Sequence, residues 1–145
     1  MQRFLNFTCL YSMKQTFLFT ISILLLASCK KDNQAAERAQ FAGAWEYYRF
    51  VGYPFNAAPL PRGNGKIIVL GADGSFERRS HDTTTFSGRY TLNQRKDCYG
   101  DAQYTFIKST DPSFAEYTIE VSGDTLFLNS SNCLADGGSV IYLRN

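Results

Sequence analysis

The chain has 145 residues, with 15 Lys plus Arg against 13 Asp plus Glu, one His, one Trp and four Cys. Setting aside residues 1–28 as a leader removes Arg3 and Lys14 and leaves the remaining charges balanced, which argues against a nucleic-acid binder, since that needs surplus Lys and Arg to replace counterions. Aromatics at 15% with only 19% charged residues exclude a disordered chain, and residues 29–145 suffice for one domain and not for two.

In chain order, Met13 and Lys14 precede an apolar run from Phe17 to Ala27. This fits the core of an export signal and falls short of the ~20 residues that cross a bilayer as a helix. Met1 to Ser12 offers a second possible start. The run closes on Leu26-Ala27-Ser28-Cys29, which resembles the lipobox of bacterial lipoproteins. The resemblance implies cleavage before Cys29 and acylation of its thiol by a diacylglycerol (palmitate-type chains). Each buried CH₂ of such a chain contributes about 0.8 kcal/mol to anchoring. Lys30 follows where an Asp would signal retention elsewhere, so similarity to Gram-negative lipoproteins implies the outer membrane, on its periplasmic face or at the cell surface. The expected organisation is a lipoprotein-type signal over 1–28, a lipidated tether over 29–40 with at most one helical turn, and a domain over 41–145.

Short alternating runs separated by turn signals then predict an all-β sandwich or barrel. The strands are expected at Ala44–Val51, Lys66–Leu70, Ser75–Ser80, Thr85–Leu92, Gln103–Lys108, Ala115–Ser122, Thr125–Asn129 and Val140–Arg144. Gly71-Ala72-Asp73-Gly74 reads as a hairpin turn, because Asp-Gly accepts positive φ. Eight strands in sequence can close into an up-and-down antiparallel barrel with no open edge. The expected inward groups are Phe86, Tyr90 and Leu92; Tyr117, Ile119 and Val121; Leu126 and Leu128. Thr125 and Asn129 are expected to face water, and Phe127 breaks the polar outer pattern.

Phe41-Ala42-Gly43-Ala44-Trp45 resembles the opening of the lipocalin family, where Gly-x-Trp begins the first strand of an eight-stranded cup. The Phe86–Leu92 strand, the Gly123-Asp124-Thr125-Leu126 hairpin and the closing Tyr142-Leu143-Arg144 extend the similarity to the small lipocalin-like domains of bacterial lipoproteins. Their middle Thr-Asp-Tyr motif has no counterpart here. The resemblance implies that Arg144 packs over Trp45 and closes the base, a contact of about 0.5–2 kcal/mol. An even strand count agrees, since it brings the start of the first strand and the end of the last to one rim. The resemblance also implies a cup for a small apolar ligand. The candidate contacts are Tyr47, Phe55, Leu60, Phe86, Tyr90, Tyr117, Ile119 and Leu126.

The same parity places the turns after Leu70 and Ser122 at the base. The segments 52–65, 109–114 and 130–138 fall at the mouth. The first is long and proline-bearing, a pattern shared by lids, so Phe55 and Leu60 are expected over the ligand or simply filling the mouth. With Cys29 acylated, Cys98 and Cys133 remain as a candidate disulfide in an oxidising compartment. Parity sets them at opposite rims, and chain reach permits a bridge without requiring one.

Little suggests catalysis. His81 stands in a turn beside Asp82, no Ser-His-Asp spacing appears, and Gly63-Asn64-Gly65-Lys66 lacks the helix that a phosphate loop needs. Asp97 and Asp101 flank Cys98, but turn carboxylates rarely hold a cation, so no metal or cofactor is expected. The expectation is a non-enzymatic monomer whose partners are the membrane and a small hydrophobic ligand. The alternative is a structural or protein-interaction module with a filled barrel.

Overall fold

The computed structural model describes residues 33–145 apart from 55, 99 and 132–136. The leader, Cys29, Phe55 and Cys133 lie outside the described residues.

Eight antiparallel strands close into a barrel in chain order: β1 (Gly43–Gly52), β2 (Lys66–Leu70), β3 (Ser75–Ser80), β4 (Thr83–Lys96), β5 (Gln103–Ser109), β6 (Tyr117–Ser122), β7 (Thr125–Asn129) and β8 (Gly138–Arg144). β8 returns to pair with β1, from Trp45 opposite Arg144 to Gly52 opposite Gly138. The all-β, eight-stranded up-and-down barrel expected from the alternation is the fold. Following the ladders from Trp45 through β2 and β3 leads to Phe86 on β4. Extending them the other way, through β8, β7, β6 and β5, leads to Cys98. The registers thus stagger by twelve residues round the circuit, Phe86 against Cys98. An eight-stranded barrel with a stagger of eight is packed solid. A larger stagger tilts the strands further and widens the bore.

Cross-strand partners share a face, so Trp45, Ile68 and Arg78 point the same way. The inward rows meet as a core in which Trp45, Leu70, Phe76, Ile107, Leu126 and Leu128 are each less than 2% exposed. Tyr90, Leu92 and Ile119 complete it, with Phe86, Tyr117 and Val121 packed against it. Phe127 lies opposite Glu120 and Ile141 on the other face of its strand.

The base is closed by polar as well as apolar contacts. The Trp45 indole N–H donates to the Phe41 carbonyl at 2.8 Å, and the Arg144 guanidinium sits 4.2 Å over the Trp45 ring. Gly43 makes that approach possible. Its φ is +141°, and a Cβ there would lie 2.9 Å from Arg144 Nη1. Across the base, the Tyr90 hydroxyl donates to the Gly71 carbonyl at 2.9 Å, inside the hairpin turn whose Gly74 has φ +84°.

Residues 33–39, expected in a tether with one helical turn, form the seven-residue helix α1 (Asn33–Ala39). Its Ala, Gln, Glu and Arg are strong helix formers, and Arg38 donates to Gln34 one turn back at 2.9 Å. The helix docks on the barrel. Gln94 of β4 donates to Glu37 at 3.0 Å, and Arg38 is buried with its Nη1 3.5 Å from the Ala72 carbonyl.

Candidate functional site

Above the core the inward rows change character. Two residues beyond Ile68 the row on β2 ends in Lys66, and two beyond Phe76 the row on β3 reaches Arg78. With Tyr47 of β1 and Tyr142 of β8 they line a cavity of about 250 Å³ that also touches Ile68. A register shift borders it on either side, between Tyr47 and Arg49 on β1 and between Arg78 and Arg79 on β3. Such bulges re-aim side chains next to binding sites. The Tyr47 and Tyr142 rings meet edge to face at 5.8 Å, and the Lys66 ammonium lies 5.8 Å from the Tyr47 ring centre.

The opposite half of the mouth is occupied by the β5–β6 connection, residues 110–116, which folds inward. Phe114 packs on Phe76 at 5.1 Å and on Tyr117 at 5.4 Å. Asp111 is 2% exposed. Its Oδ1 accepts from the Ser113 N–H at 2.9 Å and from the Ser113 hydroxyl at 2.7 Å. Its Oδ2 is 3.2 Å from Arg78 Nη1 but off the hydrogen-bond direction, so that contact is Coulombic, while Nη1 donates to the Ser113 hydroxyl. Burial pushes the Asp111 carboxyl up, but the two Ser113 hydrogen bonds and the Arg78 charge outweigh it and hold it below its ordinary 3.8.

Both described protein contacts of the Arg78 guanidinium run through Nη1; among the described residues Nε and Nη2 take no protein partner. The hydroxyls of Tyr47, Tyr117 and Tyr142 likewise take none. Burial, with the neighbouring Tyr117 and Tyr47 phenols, pushes the Tyr142 phenol far above its ordinary 10 despite Arg78, and burial raises Tyr117 as well. The Tyr142 and Tyr117 phenols stay protonated and can donate.

The segment 53–65, residue 55 apart, is tied to the edge of β1. β2 pairs with β1 only as far as Ile67 opposite Glu46, which leaves the upper edge of β1 open on that side. The segment fills it: Ala57 N–H donates to the Phe50 carbonyl at 2.9 Å and Leu60 N–H to the Tyr48 carbonyl at 2.8 Å. Glu46, 6% exposed, anchors the return by accepting from Gly63 N–H at 2.9 Å and Gly65 N–H at 3.0 Å. Leu60 is therefore held at the edge of β1 and does not line the cavity. The expectation that it covers a ligand is corrected by an unpaired strand edge that backbone hydrogen bonds had to satisfy.

Of the other expected ligand contacts, Tyr47 lines the cavity. Phe86, Ile119 and Leu126 belong to the core or pack on it. Tyr90 is spent on the base, where burial lifts its phenol to about 12, opposed by Arg38 and aided by Asp73. Tyr117 supports Phe114. Lys66 and Arg78 are not among the expected contacts, although each continues an inward row by steps of two.

Cys98 is disulfide-bonded. The β4–β5 and β7–β8 connections touch, with the Ser131 hydroxyl donating to Asp97 at 2.6 Å, so contact spans the barrel wall rather than one rim. Asp101 pairs with Lys96 at 2.7 Å. His81 is exposed in the β3–β4 turn with φ 55°.

In comparisons with known proteins, no family model, no curated protein and no solved structure matches the chain.

Proposed function

We propose that this is an envelope lipoprotein, anchored to the outer membrane through Cys29, whose lipocalin-like barrel binds a small molecule and does no chemistry on it. The observation that carries the binding reading is the 250 Å³ cavity above a solid core. It falls just below the ~300–1,000 Å³ of drug-sized ligand sites. A ~150 Å³ protein cavity already accepts benzene. The lipocalin-like part rests on the closed barrel, on the Gly43-x-Trp45 opening and on Arg144 over Trp45. The anchor rests on Leu26-Ala27-Ser28-Cys29 after an apolar run. A tether from Cys29 to α1 is only a few residues long, and α1 docks beside the base, so this reading turns the mouth away from the membrane.

Native mass spectrometry of the protein extracted from membranes in detergent tests the binding reading. A co-purifying small molecule, lost on denaturation, supports it. The second reading, a protein-interaction module, is favoured by the filled lower barrel and predicts a bare protein that captures a protein partner. Fractionation tests the anchor: Cys29→Ser is expected to abolish the acyl mass and to shift the protein out of the membrane fraction.

A further inference from the structure

Granting that the cavity holds a ligand, we infer that the ligand is a small organic monoanion, a carboxylate on a body about one aromatic ring in size. This departs from the apolar ligand expected of a lipocalin-like cup. Three observations on the cavity wall point to it.

The first is charge. Among the described residues no Asp or Glu lines the cavity, while Lys66, Arg78 and Arg79 do. Arg79 is matched by Glu77, whose Oε2 accepts from Nε at 3.0 Å. Arg78 is matched by Asp111. Among the described residues Lys66 has no carboxylate partner. By that count the wall keeps one unmatched positive charge, which suits a monoanion better than a dianionic phosphate ester.

The second is donor geometry. Asp111 and Ser113 engage one end of the Arg78 guanidinium and leave Nε and Nη2 available. That edge is the fork that grips a carboxylate with two parallel hydrogen bonds. Lys66 and Arg78 are diagonal neighbours across the β2–β3 ladder, ~7–8 Å apart along the sheet, close enough for one carboxylate to lie between them. The Tyr142 and Tyr47 hydroxyls add neutral donors with no acceptor among the described residues. Asp111 acts here as a positioning residue, since it fixes the guanidinium without facing the ligand.

The third is the rest of the lining. Ile67, Ile68 and the edge-to-face pair of Tyr47 and Tyr142 give the body an apolar wall with aromatic faces, and Ser80 and Thr85 complete the lining. The 250 Å³ has room for a body of about a single ring.

The test titrates the full protein, in detergent, with benzoate, benzamide and phenyl phosphate, and follows the ring signals of Tyr47 and Tyr142 by NMR. Benzoate is expected to bind at least about tenfold more tightly than benzamide, as the loss of charge-assisted hydrogen bonds implies. Lys66→Gln and Arg78→Gln are each expected to weaken benzoate about tenfold and leave benzamide unchanged, with melting curves confirming that both variants fold. Equal binding of benzoate and benzamide, or benzoate binding indifferent to Lys66→Gln, overturns the anion inference and leaves the cavity as a ligand site. So does a neutral molecule co-purifying with the protein. Tighter binding of phenyl phosphate than of benzoate overturns the monoanion assignment. If no probe binds and the extracted protein is bare, the ligand reading of the cavity falls together with this one.

Discussion

The two ends of this barrel are built from the same alternation and differ in what occupies it. At the base the inward residues are Trp45, Leu70, Phe76 and Leu126, closed off by Phe41 and Arg144. At the mouth the same rows carry Lys66, Arg78, Tyr47 and Tyr142 around open space. The lesson is a division of labour along one axis. Dispersion and burial concentrate at one end, and donors with no partner among the described residues at the other. Substitutions at the base should therefore be costly to stability, and those at the mouth nearly silent.

The sharpest way to break that contrast is Trp45→Ala. It removes the largest buried ring, strands the Phe41 carbonyl and takes the surface from under Arg144. A loss of about 3–5 kcal/mol is expected from chemical denaturation. A loss under 1 kcal/mol would mean that the base does not hold the fold. Glu46→Ala is next, at about 2 kcal/mol, because two backbone N–H groups lose a charged acceptor. Its signature is faster proteolysis within 53–65.

Much of the fold was legible in the sequence because one face of each strand is buried. β2, β3 and β7 begin and end where the alternation predicts. β4 runs further, from Thr83 to Lys96, because its ends are exposed on both faces and leave no pattern to read. β6 starts later, at Tyr117, since Phe114 turns inward and pulls Ala115 and Glu116 into the connection. The site was less legible. Lys66 and Arg78 continue the inward rows of Ile68 and Phe76, but a charged side chain at an inward position is the exception that a hydrophobic pattern cannot announce. The course of 53–65 depended on how far β2 pairs with β1, a tertiary quantity absent from local sequence.

Smaller effects refine the comparison. Tyr90→Phe is expected to cost about 1 kcal/mol through the lost bond to Gly71. The wild-type protein should lose the same contribution with alkali. The native phenol titrates near 12 and the unfolded one near 10, so the stabilisation is complete below pH ~10 and disappears as pH rises to ~12. Phenolate absorbance alongside circular dichroism checks this, and the variant should show a shallower alkaline decline. Asp111 behaves in the opposite sense. Its carboxyl is held below the ordinary value, so its contribution is present above pH ~4 and lost on acidification below that. Amide exchange should show residues 110–114 loosening first. At the mouth, Lys66→Gln should leave stability within ~0.5 kcal/mol of wild type.

The β1–β8 ladder has a consequence for how the molecule is made. Seven of the eight seams join neighbours in the chain and can zip as hairpins while the polypeptide is still emerging. The eighth brings Trp45 to Arg144, and the Arg144–Ala42 contact bridges a separation of 102 residues. Until that joint forms, a nascent β1 presents seven unmated backbone positions to any other extended segment it meets. The interval between the synthesis of the first strand and the arrival of the last is thus when the chain most needs an escort, and the rate of ring closure sets how long that exposure lasts.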